Sequence, residues 1–128
     1  MKLLLDTHTL LWWFLGDAKL SRKARAEVLN DDNPVFVSAA SAWEIATKYR
    51  LGKLADARDV YLRFEELVAA DGFSYASVSA RHGLRAGSYA VDHGDPFDRM
   101  LAAQAEIENL TLVTSDKIFR NFPIRTLW

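Results

Sequence analysis

From Lys2 to Leu5 a short apolar run is ended by Asp6, and such a run without polar alternation predicts a strand buried on both faces. Thr9 to Leu15 has helical length, but Leu10, Leu11, Trp12, Trp13, Phe14 and Leu15 cover the whole helix circumference. One face must pack on a sheet. The other needs a cover, and Trp12 and Trp13 are either wrapped inside the fold or placed at an oligomer or partner contact.

Ser21 caps a helix running to about Asn30, and Asp31-Asp32-Asn33-Pro34 is a stop and turn. Val35 to Ser38 reads as the second strand. A helix follows from about Ala39 to Arg50, with Gly52 just beyond its end. Asp59 to Ala70 is predicted as one helix with Val60, Phe64, Leu67 and Val68 on a stripe, and Phe73 to Val78 as a strand. Ser79 caps a short helix toward Gly87. Pro96 at a first helical position starts a helix running to Glu108, and its Ala102, Ala103 and Ala105 permit close packing on a sheet. Thr111 to Thr114 is a further strand, Lys117 to Asn121 a short helix, and Ile124 to Leu127 an edge strand. Strands alternating with helices predict an α/β three-layer sandwich with a mainly parallel sheet of about five strands.

Composition narrows the class. The 128 residues are one domain's worth, residues 1–128 forming a single unit, and half of them are apolar, enough for a core between sheet and helices. A net charge of −1 argues against bulk electrostatic capture of nucleic acid, so any phosphate-binding surface must be local. Lys19, Arg22, Lys23 and Arg25, and separately Lys48, Arg50 and Lys53, are cationic stretches whose simplest reading is a solvated helix face. No cysteine is present, which excludes disulfides, thiolate ligands and a thiol nucleophile and suits a reducing cytoplasm. No segment approaches the ~18 apolar residues of a membrane span, so a cytoplasmic protein is expected.

The chemistry lies in four acids. Asp6, Glu44, Asp98 and Asp116 each follow a strand-like run or sit near the start of the helix after one. In a parallel sheet the carboxyl ends of the strands share one edge, where ligands bind. Two carboxylates ~4 Å apart repel by roughly 4 kcal/mol at an effective dielectric near 20, so such a cluster calls for protons, cationic side chains or a metal ion. Each acid also has a plain structural reading. Asp6 is a turn former, with Thr7 and Thr9 as alternative caps for the helix that follows. Ser41-Ala-Trp-Glu44 matches a capping box. Asp95 before Pro96 is the N-cap, which leaves Asp98 free to act and puts Asp95 in support. Asp116 and Ser115 are rival caps of the helix that follows them.

The segments Leu-Leu-Leu-Asp6-Thr-His-Thr-Leu-Leu-Trp-Trp, Val-Ser-Ala-Ala-Ser-Ala-Trp-Glu44-Ile, His-Gly-Asp-Pro-Phe-Asp98-Arg-Met-Leu-Ala-Ala-Gln-Ala and Leu-Val-Thr-Ser-Asp116 together resemble the PIN-domain ribonucleases, in particular the VapC toxins of toxin–antitoxin pairs. The resemblance runs in order along nearly the whole chain. It implies a metal-dependent endoribonuclease whose acidic quartet falls on Asp6, Glu44, Asp98 and Asp116, with Thr114 or Ser115 beside the last. It also implies a VapB-type antitoxin partner, a homodimer and a structured RNA target.

Mg²⁺ suits such a site because it prefers six oxygen ligands and keeps several waters, and Mn²⁺ should substitute. Asp6 and Asp98 are the expected direct ligands, Asp116 binds the ion or its water, and Glu44 orients or deprotonates the attacking water. Thr7 is a supporting residue, Arg99 and Lys48 are candidates to meet RNA phosphate, and Glu44–Lys48 pairing is the simpler role for the lysine. His8 reads as a packing or capping residue, His93 as a loop or substrate contact, and His82 as surface.

Two other classes compete. A haloacid-dehalogenase-like phosphatase also starts with an aspartate after its first strand, but the second aspartate it needs is His8 here. A non-catalytic receiver-like module needs a phosphoacceptor after a central strand, and Asp56 follows Gly52-Lys-Leu-Ala, which is no strand. A PIN-like module that binds without cutting is the third alternative.

Overall fold

The computed structural model describes residues 1–128. Strands β1 (Leu3–Leu5), β2 (Val35–Ser38), β3 (Ser74–Ala76), β4 (Thr111–Val113) and β5 (Arg125–Leu127) form one sheet in the order β3-β2-β1-β4-β5. All four pairings are parallel. The helices are α1 (Thr7–Leu15), α2 (Arg22–Leu29), α3 (Ala39–Arg50), α4 (Arg58–Leu62), α5 (Phe64–Ala70), α6 (Ala80–Ser88) and α7 (Pro96–Ile107), with 3-10 turns at Ala55–Ala57 and Lys117–Asn121.

Alternation along the central strand divides the core in two. Leu3 and Leu5 point to one side with Val35, Val37 and Val113, against buried residues of α1 to α5. Leu4 and Leu112 point to the other, against Leu101, Ala102 and Ala105 of α7 and against Phe119 and Phe122. A run buried on both faces is therefore what the three leucines make, with all three fully buried. The layering follows from connectivity. Successive steps from β1 to β2 to β3 move one way and keep their helices on one face, and the return past β1 to β4 puts α6 and α7 on the other, as right-handed crossovers require.

The expected 59–70 helix is two, broken at Arg63, whose φ of −113° leaves the helical region. Helix α1 starts at Thr7, two residues earlier than the apolar run suggests, and ends at Gly16 in the left-handed conformation (φ 62°). Its all-round apolarity is covered from within only in part, Leu15 remaining exposed. Trp12 stands edge-on to Trp128 at 5.8 Å between ring centroids, while Trp13 leans on Phe73 and donates its indole N–H to Asp71 (2.8 Å). Both tryptophans are partly buried against the core. No helix is long and apolar enough to cross a membrane.

Candidate active site

Leu5 is level with both Val37 and Val113, so the residues that follow β1, β2 and β4 leave the sheet side by side at its carboxyl edge. Strands are added on one side of β1 as β2 and β3 and on its other side as β4 and β5, so the strand order switches between β1 and β4, the switch point where open α/β sheets bind ligands. Asp6 and Thr114 flank it.

Asp6 is only 5% exposed. Its Oδ1 accepts the Thr9 N–H (2.7 Å), so Asp6 itself, rather than Thr7 or Thr9, is the N-cap of α1. Its Oδ2 accepts the Thr114 hydroxyl, whose oxygen in turn accepts the Asp116 N–H (3.0 Å). One hydroxyl thus ties together acids more than a hundred residues apart. Burial pushes the Asp6 pKa up, and the hydrogen bonds from Thr114 and Thr9 pull the other way without cancelling it.

Glu44 is equally buried, one strand over on α3. The helix begins at Ala39 behind an Ser38 cap, so Glu44 lies inside it and makes no capping box with Ser41. Its Oε1 accepts the Thr7 hydroxyl (2.6 Å), and Lys48 Nζ lies 2.5 Å from its Oε2. Thr7 also lies 3.0 Å from Ser41 Oγ. The one hydroxyl hydrogen serves the shorter contact, to the carboxylate. Lys48 is accordingly an ion-pair partner one turn along the helix.

Asp98 stands in the first turn of α7, where Asp95 caps the helix by accepting the N–H groups of Phe97 (2.9 Å) and Asp98 (3.0 Å). Asp98 does not point free. His93 Nε2 lies 2.8 Å from its Oδ2, and burial raises its pKa, opposed by that histidine contact and reinforced by the charges of Asp95 and Glu44. The repulsion between Asp98 and Glu44 places them within electrostatic reach. Asp116 is exposed on the rim and caps the 3-10 turn through the Ile118 N–H (3.0 Å), while Ser115 is exposed and caps nothing.

Arg99 departs from its expected role. Its guanidinium points inward and donates to four backbone carbonyls, those of Ala86 (2.8 Å), Tyr89 (2.7 Å), Val91 (2.9 Å) and His93 (2.9 Å), which spends all but one of its N–H donors on protein. It staples the loop that carries His93. His82 is buried rather than on the surface, because its Nδ1 accepts the Ser79 N–H (3.0 Å) in a capping box and its Nε2 faces Glu108 (2.9 Å). An amide donor at Nδ1 fixes the ring proton on Nε2, aimed at the glutamate. His8 is exposed and stacks on Trp12 at 5.8 Å.

Gln104 was not singled out by any sequence signal. It is fully buried on α7, accepting the Ser38 hydroxyl (2.5 Å) and donating to Ala76 O (3.1 Å) and Ser77 O (3.3 Å), so it ties the ends of β2 and β3 to the helix bearing Asp98. A polar residue among Ala102, Ala103 and Ala105 was the available hint.

No three acidic or histidine side chains converge closely enough to grip an ion by themselves. The donor set nevertheless fits Mg²⁺, which needs only one or two carboxylates and fills its octahedron with water and phosphate oxygens. Asp6 is buried with only neutral donors, and no lysine or arginine pairs with either Asp6 or Asp98. Burial raises the pKa of both carboxyls, and no charged lysine or arginine offsets it. The rival placements fail on geometry: the residue two past Asp6 is the exposed His8, and Asp56 lies in the 3-10 turn among the helices, off the strand ends.

The family profile of the PIN domain matches residues 3–124. No curated protein sequence matches the chain. Among solved structures, the chain superposes on VapBC2 from Rickettsia felis, solved bound to a fragment of promoter DNA, with TM-score 0.73 at 19% identity, covering 100% of this chain and 99% of that one. VapBC-1 from nontypeable Haemophilus influenzae gives TM-score 0.71 at 19% identity, with 99% and 97% covered. FitAcB from Neisseria gonorrhoeae gives 0.66 at 21%, with 98% and 96% covered. At these identities the likeness establishes a shared fold.

Proposed function

The chain belongs to the PIN domain family, and from that premise we propose that it is a metal-dependent endoribonuclease, the toxin of a toxin–antitoxin pair, working with Mg²⁺ or Mn²⁺. One observation carries the reading: Asp6 after β1 and Asp98 at the start of α7 are a buried and a half-buried carboxylate with no lysine or arginine beside them, and Asp98 lies within electrostatic reach of Glu44.

Asp6 and Asp98 would hold the ion directly, Asp6 kept in place by Thr114 and Thr9, Asp98 by His93. Asp116, exposed on the rim, would hold it directly or through water. When bound, Mg²⁺ supplies Lewis acidity that makes a water more acidic and offsets charge building on the phosphorus. Glu44, fixed by Thr7 and Lys48, orients the attacking water and takes its proton. Water adds in line to phosphorus, the bond to the 3′ oxygen breaks, and that oxygen leaves with a proton from solvent. The products are a 5′-phosphate and a 3′-hydroxyl, and the RNA's own 2′-hydroxyl takes no part.

Complexes such as VapBC2 and FitAcB on the same fold support a VapB-type antitoxin as partner, and a homodimer is part of the proposal. A cytoplasmic site of action goes with an RNA target.

The test is incubation of the purified protein with total RNA, with and without chelator, beside Asp6→Asn, with the new ends mapped. Cutting that needs both the ion and Asp6, and leaves 5′-phosphates, is the expected result. Cutting that survives either control, or 2′,3′-cyclic phosphate ends, overturns the proposal.

A further inference from the structure

Beside the acids lies an apolar recess of about 330 Å³ between the first turns of α3 and α7, lined by Ala40, Val78, Pro96 and Met100 and walled by Trp43 and Phe97. Trp43 is 63% exposed, unlike Trp12 and Trp13, which are tucked against the core. Its ring meets Phe97 edge to face, 4.7 Å between centroids at 71°. The two aromatics are the residues immediately before Glu44 and Asp98. Neighbouring helix positions project about 100° apart, so the aromatics form a separate wall that starts one residue from each acid.

We propose that this recess receives the unpaired nucleobase adjoining the phosphate held at the acids, making Trp43 and Phe97 a stacking subsite for single-stranded RNA. The inference rests on the nuclease reading. A phosphate at Glu44 and Asp98 places its own nucleotide's base within one residue's reach of Trp43, and every base offers a π-face to an aromatic wall. The lining is apolar, so it holds no donor or acceptor set to tell one base from another. A base locked in a duplex cannot turn into it, whereas a splayed base in a loop can. The subsite thus selects for unpaired structure at the cut rather than for sequence.

The experiment uses a fluorescently labelled 12-nucleotide single-stranded RNA, the same strand annealed to its complement, and the same strand with an abasic nucleotide at the cleavage position. Binding is measured in the Asp6→Asn background, where the strand stays whole, and cutting in the wild type. Trp43→Ala is expected to weaken single-strand binding about 5- to 150-fold, the effect of losing one stacked base, while Trp43→Tyr restores most of it. The abasic strand should bind weakly to begin with and respond little to Trp43→Ala. Thermal unfolding checks that the exposed position tolerates the change. Unaltered binding and cutting by Trp43→Ala, or an abasic strand bound as tightly as the intact one, overturns the subsite and leaves the nuclease reading standing. Trp43-dependent binding without cutting by the wild type overturns the nuclease reading instead. If Trp43→Ala binds RNA normally but splits a dimer on sizing, a second copy covers the recess and the subsite falls.

Discussion

Arg99→Ala is the perturbation that best separates a structural arginine from an RNA-binding one. The guanidinium holds the carbonyls of Ala86, Tyr89, Val91 and His93, which together span the end of α6 and the loop into α7. A hydrogen bond involving a charged group contributes ~1.5–3 kcal/mol, and a buried carbonyl left bare costs ~1–3 kcal/mol. Four such bonds do not add fully, because the residue is half-buried and water enters the space that alanine leaves. A net loss of about 2–4 kcal/mol is expected, with Arg99→Lys recovering only part, since one ammonium cannot fan out to four acceptors. Urea unfolding measures the loss as a lower midpoint at constant slope. Amide exchange should quicken in residues 89–95, and RNA cutting should fall because His93 and Asp98 are no longer held. Stability within about 0.5 kcal/mol of wild type, together with RNA binding that loses part of its salt dependence, would refute this account and return Arg99 to the phosphate.

Asp6→Asn should raise the apo melting temperature at pH 7, because burial raises the carboxyl pKa in the fold above its ordinary 3.8. A raised pKa means the carboxyl favours the fold below that value and loses this contribution as pH climbs through the folded pKa, so the difference between variant and wild type should vanish near pH 3 to 4. Asparagine serves equally as an N-cap, and a variant less stable than wild type at pH 7 would show that the Thr114 and Thr9 bonds outweigh burial. Gln104→Leu should cost about 2–4 kcal/mol in urea unfolding, since it strips partners from Ser38 and from the carbonyls of Ala76 and Ser77. An unchanged midpoint would mean that water replaces the amide.

Local pattern revealed more of this molecule than might be expected from so long a separation between its acids. The three leucines before Asp6 announced a two-faced strand, and Asp95-Pro96 announced both the start of α7 and Asp95 as its cap. The parallel sandwich followed from alternation alone. What stayed hidden depends on long-range partners. Strand order is set by pairings such as Leu5 with Val113, which no window of sequence contains. Arg99 looks like a phosphate ligand until four carbonyls from the end of α6 and the loop after it are seen around it. His82 looks like surface until Ser79 and Glu108 close on its two nitrogens. Glu44 matches a capping box only when its segment is read alone, and the helix start at Ala39 that the sequence also indicates, capped by Ser38, places it inside the helix.

The central claim is that remote carboxylates share a divalent cation. Mn²⁺ binding, followed by electron paramagnetic resonance on the wild type, Asp6→Asn and Asp98→Asn, tests it most directly, because it reads the ion without requiring any RNA. Specific binding by the wild type that weakens on the order of tenfold or more in each variant is the predicted result, since affinity follows the number of charged oxygen ligands. Folded variants that bind Mn²⁺ as the wild type does, or a wild type that binds none, would contradict it.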